Sequence, residues 1–147
     1  MIYLDTSALI KLYIHEIGSE KVNHLVIMQD DPLPICDLHI LEFTNAIKLK
    51  CFRKEINLKA VNYILTLFNE RIDEGCYFIP EFDRLKHLEL SLAYTDFSIN
   101  IGCRSLDILH VSAAKLFKVN QFITCDEKQI KCATMAGLVT VNPITQE

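Results

Sequence analysis

The chain has 147 residues, half of them apolar and 23% charged, with a formal net charge of −4. That length suits one domain with a full core over residues 1–147. The composition excludes a bilayer-spanning stretch and a general nucleic-acid coat, which would carry excess positive charge.

Residues 2–5 read as a buried strand. Thr6 or Ser7 then caps a helix with Ala8, Leu9, Leu12 and Tyr13 on one face. Gly18 and Ser19 break it, and a second helix runs to about residue 29. Asp30, Asp31 and Pro32 form a turn before a short strand at 33–36. Leu38, Leu41, Asn45 and Leu49 are spaced for a helix over 38–53. Leu58, Val61, Leu65, Phe68 and Ile72 give the apolar stripe of another over 58–73. Gly75 stops it, and 76–80 is a third strand. A helix over 83–98 follows, then one over 106–117, capped by Ser105, with Leu106, Leu109, Ala113 and Leu116 facing inward. A fourth strand at 121–124, a helix over 127–136 ended by Gly137, and a fifth strand at 138–141 complete the pattern. Strands alternating with helices define an α/β fold with a mainly parallel sheet and right-handed crossovers.

The six cysteines, Cys36, Cys51, Cys76, Cys103, Cys125 and Cys132, contain no C-x-x-C pair. That argues against structural zinc and for mostly small, buried, reduced side chains. The N-terminus shows no signal-type pattern, so the expected location is cytoplasmic, with no membrane attachment.

Four acids stand out by position. Asp5 ends the first strand, Asp126 follows the fourth, Glu42 lies early in the helix after strand two, and Asp107 lies in the first turn of its helix. In a parallel α/β sheet all four fall at the carboxyl rim, where ligands bind. Two carboxylates about 5 Å apart repel by about 3 kcal/mol at an effective dielectric near 20. Such a cluster calls for protons or a cation, and oxygen ligands suit Mg²⁺ or Mn²⁺. Phosphodiester hydrolysis is the fitting reaction. Asp5 is the best direct ligand; Asp107 and Asp126 complete the shell; Glu42 either ligates or acts as base. Taken singly each acid has a plainer reading, Asp107 as a helix-dipole partner and Asp126 as a cap.

The ordered set Asp5-Thr6-Ser7-Ala8-Leu9, Glu42-x-x-Asn45-Ala46, Arg104-x-x-Asp107-x-x-His110-x-x-Ala113 and Thr124-x-Asp126, with Ala136-Gly137-Leu138 behind, resembles the PIN domain, and among its members the small VapC-like ribonucleases. The resemblance runs essentially end to end. It implies a three-layer α/β/α fold with five strands in the order 3-2-1-4-5. It also implies a metal-dependent endoribonuclease with Asp5, Glu42, Asp107 and Asp126 as the acidic site, and Thr6 or Ser7 and Thr124 hydrogen-bonding within it. A homodimer and a cognate antitoxin protein follow from the same resemblance.

Other polar residues have two readings. His110 could approach a phosphate or bond to its helix neighbours, and Asn45 could orient Glu42 or pack. Lys11 and Arg104 are candidate RNA contacts. The run Lys48, Lys50, Arg53 and Lys54 reads best as a solvated helix face. No nucleotide-cradling glycine motif or Gly-x-Ser-x-Gly elbow is present. The second Asp of a dehalogenase-type phosphoaspartate enzyme is replaced by Ser7. The remaining alternative is a non-catalytic PIN scaffold that binds a partner protein or RNA.

Overall fold

The computed structural model describes residues 1–145; the expected domain, 1–147, includes residues 146 and 147, which lie outside the described residues. In chain order come β1 (Ile2–Leu4), α1 (Thr6–Leu9) with a 3-10 turn (Ile10–Leu12), α2 (Ser19–Ile27), β2 (Leu33–Pro34) and α3 (Asp37–Phe52). Then follow α4 (Leu58–Asp73), β3 (Tyr77–Phe78), α5 (Arg84–Tyr94), a 3-10 turn (Thr95–Phe97) and α6 (Ser98–Ile101). The chain closes with α7 (Ser105–Leu116), β4 (Gln121–Ile123), α8 (Glu127–Met135) and β5 (Thr140–Val141).

The period-2 alternation of β1 sets up the layers. Ile2 and Leu4 pack with Phe43, Ile47, Val61 and Phe68 of α3 and α4. Tyr3 points the other way, into a second core of Val111, Ala114, Phe122, Cys132 and Ala133 from α7, β4 and α8. The result is the expected α/β/α arrangement. All strand pairs are parallel, with Tyr3 beside Phe122 and Leu4 beside Ile123.

The strands hydrogen-bond as two ladders, β1-β4-β5 and β2-β3, in place of one continuous 3-2-1-4-5 sheet. Pro34 and Cys36 explain the seam. Leu33 and Ile35 donate to β3 and its flank, at Cys76 and Phe78. The alternate residues therefore face β1. Pro34 has no N–H to give. The Cys36 N–H is taken by Nδ1 of His39 at 3.0 Å. Since Nδ1 accepts, Nε2 carries the proton, and it donates to the Leu4 carbonyl at 2.8 Å. A buried imidazole thus closes the join where a ladder would run.

Several sequence expectations shift. Helix α3 turns a different face inward: His39, Phe43 and Ile47 are buried, while Leu41, Asn45 and Leu49 are exposed. Leu58 and Leu106 also face outward. The helix expected over 83–98 is divided among α5, a 3-10 turn and α6. Asp5, not Thr6 or Ser7, caps α1, because its carboxylate already stands at the strand end and takes the Ala8 N–H. Ser105 lies inside α7; residue 104 holds the cap position, and the Asp107 carboxylate takes its N–H. Only Cys36 and Cys132 of the six free cysteines are buried, and Cys76 is exposed.

Burial pushes the His39 pKa down to about 3, from an ordinary value of 6.5. Between those values the unfolded chain binds a proton that the folded protein does not. Stability therefore falls as pH drops through 6.5. On going from pH 7 to 5 this one ring should cost about 2 kcal/mol. Urea unfolding at both pH values should show that loss shrinking in His39→Gln, which can still give and take a hydrogen bond; an undiminished loss would remove His39 as its source.

Candidate active site

Asp5 begins the site. Its N–H extends the β1-β4 ladder by donating to the Ile123 carbonyl at 2.9 Å. Its side chain is buried at the carboxyl end of β1. Oδ1 accepts from the Ser7 hydroxyl at 2.7 Å and the Ala8 N–H at 2.9 Å. Oδ2 accepts from the Thr124 hydroxyl at 2.8 Å. Burial raises the Asp5 pKa even against these donors. Ser7 also accepts the Cys125 N–H, and Thr124 accepts the Asp126 N–H, so the ends of β1 and β4 are laced together.

Gln129 adds a contact that sequence reading missed. Its Oε1 lies 2.6 Å from the Thr124 hydroxyl, competing with Asp5 for that one proton, and its Nε2 donates to the Asp107 carbonyl. The only sequence signal was its place three residues after a capping Asp.

Asp126 caps α8: Oδ1 accepts from the Lys128 and Gln129 N–H groups. Its Oδ2 accepts from the Arg104 guanidinium at 3.2 Å. The same guanidinium reaches both oxygens of the buried Asp107, at 3.1 and 3.3 Å. Asp107, then Asp126 and Glu42, raise the pKa of Arg104. One arginine is thus the shared counter-ion of Asp107 and Asp126. The candidate RNA contact Arg104 is therefore engaged with the acids in this structure.

Glu42 reaches the rim from α3. Its Oε2 accepts from the Thr6 hydroxyl and from Nε2 of His110, each at 2.6 Å. Burial pushes its pKa up, but those hydrogen bonds outweigh it and hold the carboxyl below its ordinary range. Glu42 and Thr6 line an open cleft with Leu41, Asn45, Ala46 and Leu106. Asn45 is exposed in that cleft, and among the described residues it has no hydrogen bond to Glu42. Lys11 departs from its expected role as a phosphate contact: it is buried and paired with Glu16 at 3.3 Å. Glu16 also binds Lys50, so the basic run is partly neutralised.

Among the described residues, no three His, Cys, Asp or Glu side chains stand as a ready metal cage. The donor set still fits a hard divalent cation. Every acid at the rim offers oxygen, burial penalises the charge on Asp5, and Arg104 already shows that a cation is drawn between Asp107 and Asp126. Asp5, Glu42, Asp107 and Asp126 would hold the metal, with the guanidinium displaced.

A parallel α/β fold with four acids on its carboxyl rim defines a PIN-type architecture. The chain belongs to the PIN domain family, whose model matches residues 2–134. No curated protein matches by sequence. Solved structures share the fold. FitAcB from Neisseria gonorrhoeae aligns with a TM-score of 0.65 and 17% identity, covering 99% of this chain and 100% of that one. VapBC2 from Rickettsia felis, bound to a DNA fragment from their promoter, gives 0.65 and 18%, covering 97% and 98%. VapBC-1 from nontypeable Haemophilus influenzae gives 0.62 and 16%, covering 99% and 100%. No helix among the described residues is long and apolar enough to cross a membrane.

Two outcomes follow from the charges. Arg104→Gln should tighten Mn²⁺ binding two- to fivefold, since it removes a competing but mostly exposed cation, worth at most about 1 kcal/mol. Calorimetric titration would show it, and unchanged or weaker binding would sink the competition. For Asp5 the folded pKa is raised, so its contribution is favourable at low pH and lost as pH rises through the folded value. Asp5→Asn can keep the Ser7 and Ala8 bonds and donate to Thr124. At pH 7.5 without metal it should therefore melt at least about 2 °C higher than the parent, and at pH 4 the gap should close.

Proposed function

We propose that this PIN domain is a metal-dependent endoribonuclease that uses Mg²⁺ or Mn²⁺, the toxin of a cytoplasmic toxin-antitoxin pair. The carrying observation is that Arg104 pairs with Asp107 and Asp126 and feels Glu42, on the rim that also holds Asp5. Acids placed along one rim, two of them already sharing a cation, make a poor structural device and suit a hydrolytic one. A bound divalent ion supplies charge neutralisation at the phosphate and acidity to water.

The chain's own groups divide the remaining work. Asp5, fixed by three donors, gives a rigid reference point at the strand end. Glu42 accepts the proton of the attacking water on Oε1, its oxygen without a hydrogen bond among the described residues. The water oxygen bonds to phosphorus, the bond from phosphorus to one ribose oxygen breaks, and the proton leaves with that oxygen. Arg104, once displaced from the acids, is free to meet an RNA phosphate.

The structural relatives are FitAB- and VapBC-type assemblies, which supports a protein partner; in this reading that partner covers the acidic rim and the working unit is a homodimer. A non-catalytic scaffold is the competing reading. Cleavage of labelled total RNA with Mg²⁺, Mn²⁺ or EDTA separates them. Cutting should need metal and fall at least about a hundredfold in both Asp5→Asn and Asp126→Asn. Equal cutting by all three proteins would expose a contaminant, and metal-free behaviour identical in all three would favour the scaffold.

A further inference from the structure

Behind Glu42 lies a buried polar chain that nothing above requires. The Nε2 of His110, on α7, meets Glu42 Oε2 at 2.6 Å. The carboxylate can only accept, so Nε2 carries the proton. The other ring nitrogen, Nδ1, lies 2.7 Å from the Tyr3 hydroxyl of β1. In the neutral ring a proton on Nε2 leaves Nδ1 as the acceptor, and the Tyr3 hydroxyl donates to it. The order is therefore Tyr3 O–H to His110 Nδ1, then His110 Nε2–H to Glu42. Tyr3 is fully buried and His110 nearly so. His39, fixed at the β1-β2 seam, packs edge-on against the His110 ring at 4.7 Å between centroids.

A core needs none of this. Phe at 3 and Leu at 110 would fill similar space without burying a hydroxyl and an imidazole. The chain instead spends three elements on one carboxylate, and its exposed end is the part-buried Glu42 at the cleft. With Thr6, His110 loads Oε2 twice and leaves Oε1 toward new ligands.

We propose that Tyr3 and His110 are positioning residues for the nuclease reaction, holding Glu42 in the one rotamer that presents Oε1 to the site. This rests on the ribonuclease reading above. Tyr3 selects the ring tautomer, His110 grips the carboxylate, and Glu42 alone touches the reacting groups. Tyr3 gave no signal in the sequence, since it sits in an apolar run and behaves as core.

The test compares Tyr3→Phe, His110→Leu and His110→Gln with the parent. Tyr3→Phe deletes one hydroxyl and should lower kcat about tenfold, the scale of one hydrogen bond. His110→Leu should lower it about a hundredfold, and His110→Gln, which restores an N–H donor, should recover at least about tenfold of that. KM should stay within about twofold, because substrate binding does not use these residues. A kcat unchanged in Tyr3→Phe and His110→Leu, or a loss that lies wholly in KM, would overturn the proposal.

Two readouts need no RNA. Nitrogen-15 spectra of the parent should show His110 protonated on Nε2, with the Nδ1 resonance moving in Tyr3→Phe. A crystal structure of His110→Leu should show Glu42 in a different rotamer. A proton on Nδ1 alone, or a Glu42 that stays in place, would overturn the relay even if the parent proves to cut no RNA.

Discussion

Everything at the rim depends on one buried carboxylate. Asp5 ends the central strand, caps the following helix through Oδ1, and ties in the end of β4 through Oδ2 and Thr124. Burying it costs stability, and its hydrogen bonds offset only part of that cost. The remainder is a standing demand for positive charge. Around it stand the other acids: Glu42 on the helix after β2, Asp126 capping the helix after β4, and Asp107 in the first turn of α7, which leads into β4. Fold and chemistry meet here because the same geometry serves both: a strand end is rigid, and helix starts supply N–H groups that orient carboxylates.

The acids were legible in the sequence for that reason. A strand followed by Asp and a run of small or hydroxyl residues, or a helix opened three residues before an Asp, is a local pattern. The ladder seam was half legible: Pro34 in a strand signals an edge, but the histidine that closes the gap belongs to the next helix. The face of α3 was misread because Leu41 and Leu49 outrank His39 on any hydrophobic count. Yet His39 is the buried one, because Leu4 and Cys36 satisfy both its nitrogens. Polar burial of this kind depends on partners 35 residues apart in the chain, and no window of sequence contains both.

Arg104 shows a similar limit. Its spacing to Asp107 is visible, whereas its reach to Asp126 exists only once α7 and α8 pack together. In the folded protein it damps the repulsion that the acids create, while most of the side chain remains in solvent. A rim balanced in this way tolerates its own charge while keeping it exchangeable.

The seam between the two ladders has a last consequence. Glu42 rides on α3, which leaves β2, whereas Asp5 and Asp126 belong to the β1-β4-β5 half. One imidazole bridges the strands at that line, in place of a row of backbone bonds. The four acids are therefore split across a fault. A small slip of one half against the other would misalign Glu42 while both hydrophobic cores stay shut. The relative placement of Glu42 and Asp5 is thus set where the strands share the fewest hydrogen bonds, and the seam fixes the shape of the rim.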